Sequence, residues 1–330
     1  MSMDNNTQTA ATSSSLGVKS NAPLDSLRRH LCKVLIGQER VVEHVLICLL
    51  AEGHALVEGV PGLGKTRLVK ALAHACGGDF NRLQFTPDLM PSDIVGHAMF
   101  DAKTSEFTLR KGPIFANFVV ADEINRAPAK TQSAMLEAME ERQVSLEGET
   151  LPLPAPFMVL ATQNPVDHDG TYPLPQAQFD RFLMKLVIEY PSLDDEIAIV
   201  QGAANAKAHG DLSLQTIISL QDLRALQAQT ALVHVDKEVA AYAVRLAVAT
   251  RNWPGLEYGA GPRASMAIVA AGRANAVLQG RDHLLPEDVK AVATPVLQHR
   301  LGLSAELEIQ GNTVEQVLGE LLDTVEAPRQ

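Results

Sequence analysis

Three groups of residues in this sequence could act together on a phosphate chain. The first is Gly59-Val60-Pro61-Gly62-Leu63-Gly64-Lys65-Thr66, which fills every fixed position of the phosphate-loop pattern G-x-x-x-x-G-K-[ST]. Its glycines permit turns in which successive backbone N–H groups converge on one anion, at the positive end of the following helix. Lys65 would add a full charge between the β and γ phosphates. Thr66 would offer a hydroxyl to Mg²⁺, which keeps most of its waters and takes few protein ligands. The second group is Asp122-Glu123, about 55 residues further on. Asp122 would hold Mg²⁺ through its water shell, and Glu123 would polarise the attacking water as general base. The third is Gln163-Asn164-Pro165, where the Asn164 amide could orient that water or touch the γ phosphate.

Each group sits where a sheet would present it. Residues 54–58 read as a short buried strand, and 67–76 as a helix with Leu68, Val69, Leu72 and Ala75 on one face, ended by Gly77-Gly78. Residues 117–121 form a nearly continuous apolar run, the pattern of a strand buried on both faces, and 157–162 form another. Residues 81–85 and 183–189 complete five strands. In open α/β sheets ligands collect at the carboxyl ends of strands, so Lys65, Asp122 and Asn164 are expected at one edge. Two hairpins are expected around residues 99–109 and 144–153. The first reads equally as a substrate-contacting loop or as surface decoration.

From about residue 191 helices dominate: 194–206, 220–229, 237–251, 262–279 and 286–299, with Pro262 and Pro286 at first helical positions. The expected organisation is a disordered tail over 1–22, an α/β nucleotide-binding domain over 23–190 and a helical lid domain over 191–330. Arg263 falls in the first turn of its helix, a poor place for a cation by dipole logic. A nearby γ phosphate would account for it, and so would a plain surface position. Ile36, beside the helix break Gly37-Gln38, could shape an adenine pocket, or the pair could be no more than the break.

Composition narrows the class of protein. Net charge is −11, with 39 acidic against 28 basic residues, which argues against a dedicated nucleic-acid binder. A nucleic-acid motor would have to rely on a local set such as Lys103, Arg110 and Lys111. Hydrophobic residues make up 46% but aromatics only 4%, so the cores must be aliphatic. Cys32, Cys48 and Cys76 lie in apolar helical contexts without metal-ligand spacing, which fits burial and a reducing compartment. No apolar run reaches membrane-spanning length and no signal-peptide pattern opens the chain, so a cytoplasmic protein is expected.

Taken together, these stretches resemble an AAA+ ATPase of the MoxR family. The resemblance rests on residues 57–66, on Ala121-Asp122-Glu123-Ile124-Asn125-Arg126-Ala127-Pro128, on Ala161-Thr162-Gln163-Asn164-Pro165 and on Ala177-Gln178-Phe179-Asp180-Arg181-Phe182. It implies an α/β core with a five-stranded parallel sheet flanked by helices, followed by an all-helical lid. It further implies ATP and Mg²⁺ as cofactors, with Gly59, Pro61, Gly62, Leu63, Gly64, Lys65, Thr66, Arg67, Ile36 and Asp122 around the nucleotide. Thr66 and Asp122 would serve the metal. Glu123, Asn164, Arg181 and Arg263 would be catalytic: Asn164 as sensor 1, Arg181 as an arginine finger reaching a neighbouring subunit, and Arg263 as sensor 2. Similar proteins form hexameric rings that remodel client proteins, often partners with von Willebrand factor A domains. A metal-chelatase motor subunit is the nearest alternative.

Overall fold

The computed structural model describes residues 22–60, 62–101, 105–163, 172–209 and 216–328. In chain order the elements are α1 (Ala22–Val34), α2 (Glu39–Leu50), β1 (Ala55–Glu58), α3 (Lys65–Cys76), β2 (Phe80–Gln84), α4 (Pro91–Val95), β3 (Gly96–Asp101) and β4 (Glu106–Lys111). Then come β5 (Phe118–Asp122), α5 (Ala129–Glu141), β6 (Gln143–Leu146), β7 (Glu149–Pro152), β8 (Met158–Gln163), α6 (Gln176–Phe179) and β9 (Met184–Val187). The remainder is α7 (Leu193–His209), α8 (Leu220–Ala231), α9 (Lys237–Ala249), β10 (Leu256–Tyr258), α10 (Pro262–Leu278), α11 (Pro286–Leu297), β11 (Gly302–Leu303), α12 (Ala305–Ile309) and α13 (Val314–Thr324).

Five strands form one parallel sheet in the order β2-β5-β8-β1-β9. Every residue of β5 and β8 is buried, because helices cover both faces. Alternation within the strands divides the core. Ala55, Val57, Val120 and Leu160 pack with α1, α2, α3 and the helical domain, while Leu56, Val119, Val159 and Ala161 pack with α5. The first of these cores runs on without a break into Ile268, Val289 and Val296 of α10 and α11. The sheet and the lid helices therefore share one apolar interior. Cys48 and Cys76 lie within it, and burial pushes the Cys76 thiol up to about 12.

Buried His54 ties the sheet to α5. Its Nδ1 accepts from the Val159 amide at 3.0 Å, so the proton sits on Nε2, which donates to the Met139 carbonyl at 3.0 Å. Burial, with Arg142 nearby, lowers its pKa to about 4. The unfolded chain, at the ordinary value of 6.5, takes up this proton first as pH falls, so stability is lost between about 6.5 and about 4. The shift corresponds to roughly 3 kcal/mol. Denaturant unfolding across this window should therefore show wild type losing that much more stability than His54→Gln; parallel curves would contradict it.

Both expected hairpins are present, as β3–β4 and β6–β7. Gly96 opens the first at φ 104°, and a Cβ there would stand 2.1 Å from the Arg110 carbonyl oxygen. Gly96→Ala should destabilise the fold by about 2–3 kcal/mol, read from chemical denaturation. A loss below about 0.5 kcal/mol would show that the hairpin base yields freely. At the other end of the hairpin Phe100 and Phe107 form an exposed cross-strand pair, ring centroids 5.3 Å apart.

The C-terminal part is built mainly from helices, with a ribbon in which Leu256 pairs with Leu303 and Tyr258 with Gly302. Two or three residues per strand are too few to leave a periodic signal in the sequence. Asp288, almost fully buried in the first turn of α11, accepts from both Arg281 Nη atoms at 2.6 Å, from Asn275 at 2.8 Å and from the Leu285 amide at 2.9 Å. Its charge is thus fully satisfied inside the lid.

Candidate active site

The phosphate loop joins β1 to α3. Gly64 caps α3 in a left-handed conformation, φ 83° and ψ 12°, that a side chain would resist. The first-turn amides of α3 then open into a cleft of about 370 Å³. Lining it are Gly59, Gly62, Gly64, Lys65, Thr66 and Arg67 from the loop and α3, Arg82 and Gln84 from β2, Asp122 and Glu123 after β5, and Thr162 and Gln163 from β8. These are the carboxyl ends of adjacent parallel strands.

Lys65 bends back to donate to the Gly59 carbonyl at 2.5 Å. Burial lowers its pKa, opposed by Asp122, Glu123 and Glu58. Thr66 Oγ1 donates to Asp122 Oδ2 at 3.3 Å, and Thr162 Oγ1 donates to Asp122 Oδ1 at 3.1 Å. Arg82 Nε also meets Asp122 Oδ2, at 2.6 Å. A hydroxyl and a carboxylate oxygen are the hard donors Mg²⁺ takes, and a cationic guanidinium already shares that carboxylate oxygen. The donor set therefore fits the ion.

Glu123 stands in the left-handed region, φ 56° and ψ 51°, before the tight turn Ile124–Arg126. A non-glycine residue there stores strain of order 1–3 kcal/mol, and such strain collects at functional sites. Its amide donates to Thr162 Oγ1 at 2.9 Å. Its Oε2 accepts from Gln84 Nε2 at 2.8 Å and from Arg126 Nη1 at 3.2 Å. The carboxylate is thus aimed from both sides.

Other expected residues lie elsewhere. Leu63 packs on the apolar core rather than lining the cleft. Ile36 is half-buried and outside the lining, though nearby Gln38 donates to the Glu189 carbonyl at 3.0 Å, linking that break to the segment just after β9. Pro61 and Asn164 fall outside the described residues. Arg181 and Arg263 line a separate cleft of about 300 Å³, together with Glu140, Arg142, Asp180 and Arg300 among others. Glu140 holds both arginines there: Arg181 Nε lies 3.5 Å from Oε2, and Arg263 pairs with Oε1. None of the residues lining this cleft lines the phosphate-loop cleft.

Sequence reasoning missed Arg82, Gln84 and Thr162. The rule that sites gather at strand carboxyl ends could have found Gln84, the last residue of β2. Nothing in the sequence pointed to Glu140 or Arg300.

A nucleotide cleft on a parallel sheet with a following helical lid defines an ATPase of the AAA class. A family model described as "ATPase family associated with various cellular activities (AAA)" matches residues 54–184, and one for the AAA lid domain matches 248–321. The chaperone MoxR1 of Mycobacterium tuberculosis is 44% identical over 90% of this chain and 80% of its own length. Protein MoxR of Paracoccus denitrificans is 32% identical over 83% of this chain and 87% of its own. The crystal structure of a presumed ATPase from Cytophaga hutchinsonii aligns with a TM-score of 0.86 and 38% identity, covering 94% of this chain and 96% of that one. This chain belongs to the MoxR family of AAA+ ATPases.

Proposed function

We propose that this ATPase works as a ring of identical copies, hexameric as the resemblance implies, in which each ATP is hydrolysed at a seam. One copy supplies the phosphate-loop cleft and the next supplies Arg181 and Arg263. The observation that carries this reading is the separation of the two clefts. Arg181 and Arg263 stand together, paired among the described residues with Glu140 and Asp180, in a cleft that shares no lining with that of their own phosphate loop. Two arginines on one surface cleft are suited to anionic oxygens brought by another molecule.

Within the cleft, loop amides and Lys65 cradle the phosphates, and Thr66 with Asp122 hold Mg²⁺. An ion held by Thr66 and Asp122 would supply positive charge against the phosphates. Glu123 accepts the proton of the attacking water, Gln84 and Arg126 fix its carboxylate, and Asn164 orients the water. Arg181 stabilises charge on the transferred group. Turnover drives remodelling or activation of client proteins, with von Willebrand factor A-domain proteins as the partner class, and the exposed Phe100–Phe107 tip of the first hairpin is an apolar contact for them. Among the described residues no helix is long and apolar enough to cross a membrane.

Arg82 gives a test of the metal assignment. Its bond to Asp122 must yield when Mg²⁺ arrives, so Arg82→Ala should lower the Mg²⁺ concentration needed for half-maximal nucleotide binding by about three- to fivefold, the scale of one exposed ion pair. A fluorescent ATP analogue titrated with Mg²⁺ reads this; an unchanged or raised requirement would contradict it. The ring is tested by sedimentation of Glu123→Gln with ATP and Mg²⁺, expected as a hexamer. The same variant is expected to retain von Willebrand factor A-domain proteins on purification. A monomer under saturating ATP would remove the shared site.

A further inference from the structure

We infer that Arg300 is a positioning residue for Arg181, the means by which the lid sets the reach of the donated arginine. The inference rests on the shared-site reading above and adds to it the residue that aims the donor.

Arg181 sits in the tight turn between α6 and β9, where flanking residues, not helix or strand hydrogen bonds, must fix its backbone. Its own amide reaches the Gln178 carbonyl at only 3.3 Å. On one side Phe182, fully buried, anchors the turn in the core beneath the sheet. On the other the lid supplies the Arg300 guanidinium, with His299 Nε2 also 3.0 Å from the Phe182 carbonyl. Arg300 lies just past the end of α11 and is 4% exposed. Its Nε donates to Asp180 Oδ1 at 2.6 Å, and its Nη2 donates to the Phe182 carbonyl at 2.8 Å and reaches the Asp180 carbonyl at 3.3 Å. Nη1 reaches the Leu183 carbonyl at 3.3 Å. The carbonyls on both sides of Arg181 are therefore bound by one rigid fork belonging to the lid.

A buried cation spent on three backbone carbonyls of the turn, the Val296 carbonyl of its own helix and one carboxylate is more than a staple between domains requires, because the apolar core already joins sheet and lid. The geometry is that of a planar donor chosen for several fixed acceptors, which a lysine could not reproduce. The same lid brings Arg263 to the other oxygen of Asp180, at 3.9 Å. Lid movement therefore shifts the turn, and with it Arg181, as one piece. Misplacing a catalytic group by about 1 Å can cost about 10²-fold in rate.

The test uses mixed rings. Arg181→Ala subunits keep a complete cleft but donate no arginine; Lys65→Ala subunits donate it but cannot use ATP. Their mixture has active seams of one kind only. Arg300→Lys is then placed in either partner. In the Lys65→Ala donor it should lower hydrolysis by about 10- to 100-fold. In the Arg181→Ala acceptor it should change the rate by less than about twofold, which also shows that the variant folds. Equal loss in both positions would mean a general structural role and overturn the inference, as would full activity with the altered donor. If Arg300→Lys shows no cooperative thermal melt, Asp180→Asn at the more exposed end of the contact is placed in the same two positions and judged by the same two outcomes. An inactive parental mixture would instead strike the shared-site reading itself, and this inference with it.

Discussion

Glu123→Gln is expected to lower ATP turnover by about 10²- to 10⁴-fold while leaving nucleotide affinity within about twofold. The expectation follows from how the side chain is held. Its backbone is strained into the left-handed region, and its Oε2 takes one hydrogen bond from Gln84 and one from Arg126. An amide fills the same volume and can still meet Gln84 by turning its oxygen to that donor, but it has no basic lone pair for the proton of the attacking water. Single-turnover hydrolysis separates this from binding, which a fluorescent ATP analogue reads. Unchanged turnover would remove Glu123 from the role of base, and a parallel loss of affinity would make it a binding residue instead.

Arg181→Ala is expected to have a comparable effect from a different place. It should cut kcat by about 10³-fold, the scale of an arginine finger, and leave ATP affinity nearly untouched. The reason is the division between the clefts: Lys65 and the loop amides remain complete when Arg181 is lost, since it does not line their cleft. Arg263→Ala, beside it on Glu140, should act in the same sense, and the two losses should not add, since both serve one bound phosphate group. If Arg181→Ala weakened ATP binding in an isolated subunit, the arginine would belong to its own cleft and the seam would be unnecessary.

The sheet was legible because burial on both faces writes itself as apolar runs: residues 117–121 and 157–162 appear as β5 and β8, shifted by a residue. The phosphate loop was legible because its glycines and its lysine are demanded by local geometry, visible in Gly64 at the cap of α3. Asp122 and Glu123 followed from strand order and distance in sequence. What stayed hidden depends on side chains meeting across long separations. β2 alternates weakly, and nothing in it marks Arg82 for Asp122 or Gln84 for Glu123. Arg263 was read as a cation at a helix start, accounted for either by a nearby phosphate or by a plain surface position. The structure places it with Glu140 and Asp180, in a cleft that shares no lining residue with that of the phosphate loop, a partnership no helix rule conveys. Arg300 left no signal, because a buried arginine after a helix looks like any basic residue in a last turn.

Mixing Lys65→Ala subunits with Arg181→Ala subunits and measuring ATP hydrolysis tests the shared seam most directly. Each variant alone should be nearly inactive, one lacking the cradle and the other the donated charge. The mixture should hydrolyse ATP well above either, because an intact phosphate loop then stands opposite an intact Arg181. Hydrolysis that never rises above the more active variant alone, in rings shown to contain both, would contradict catalysis between copies.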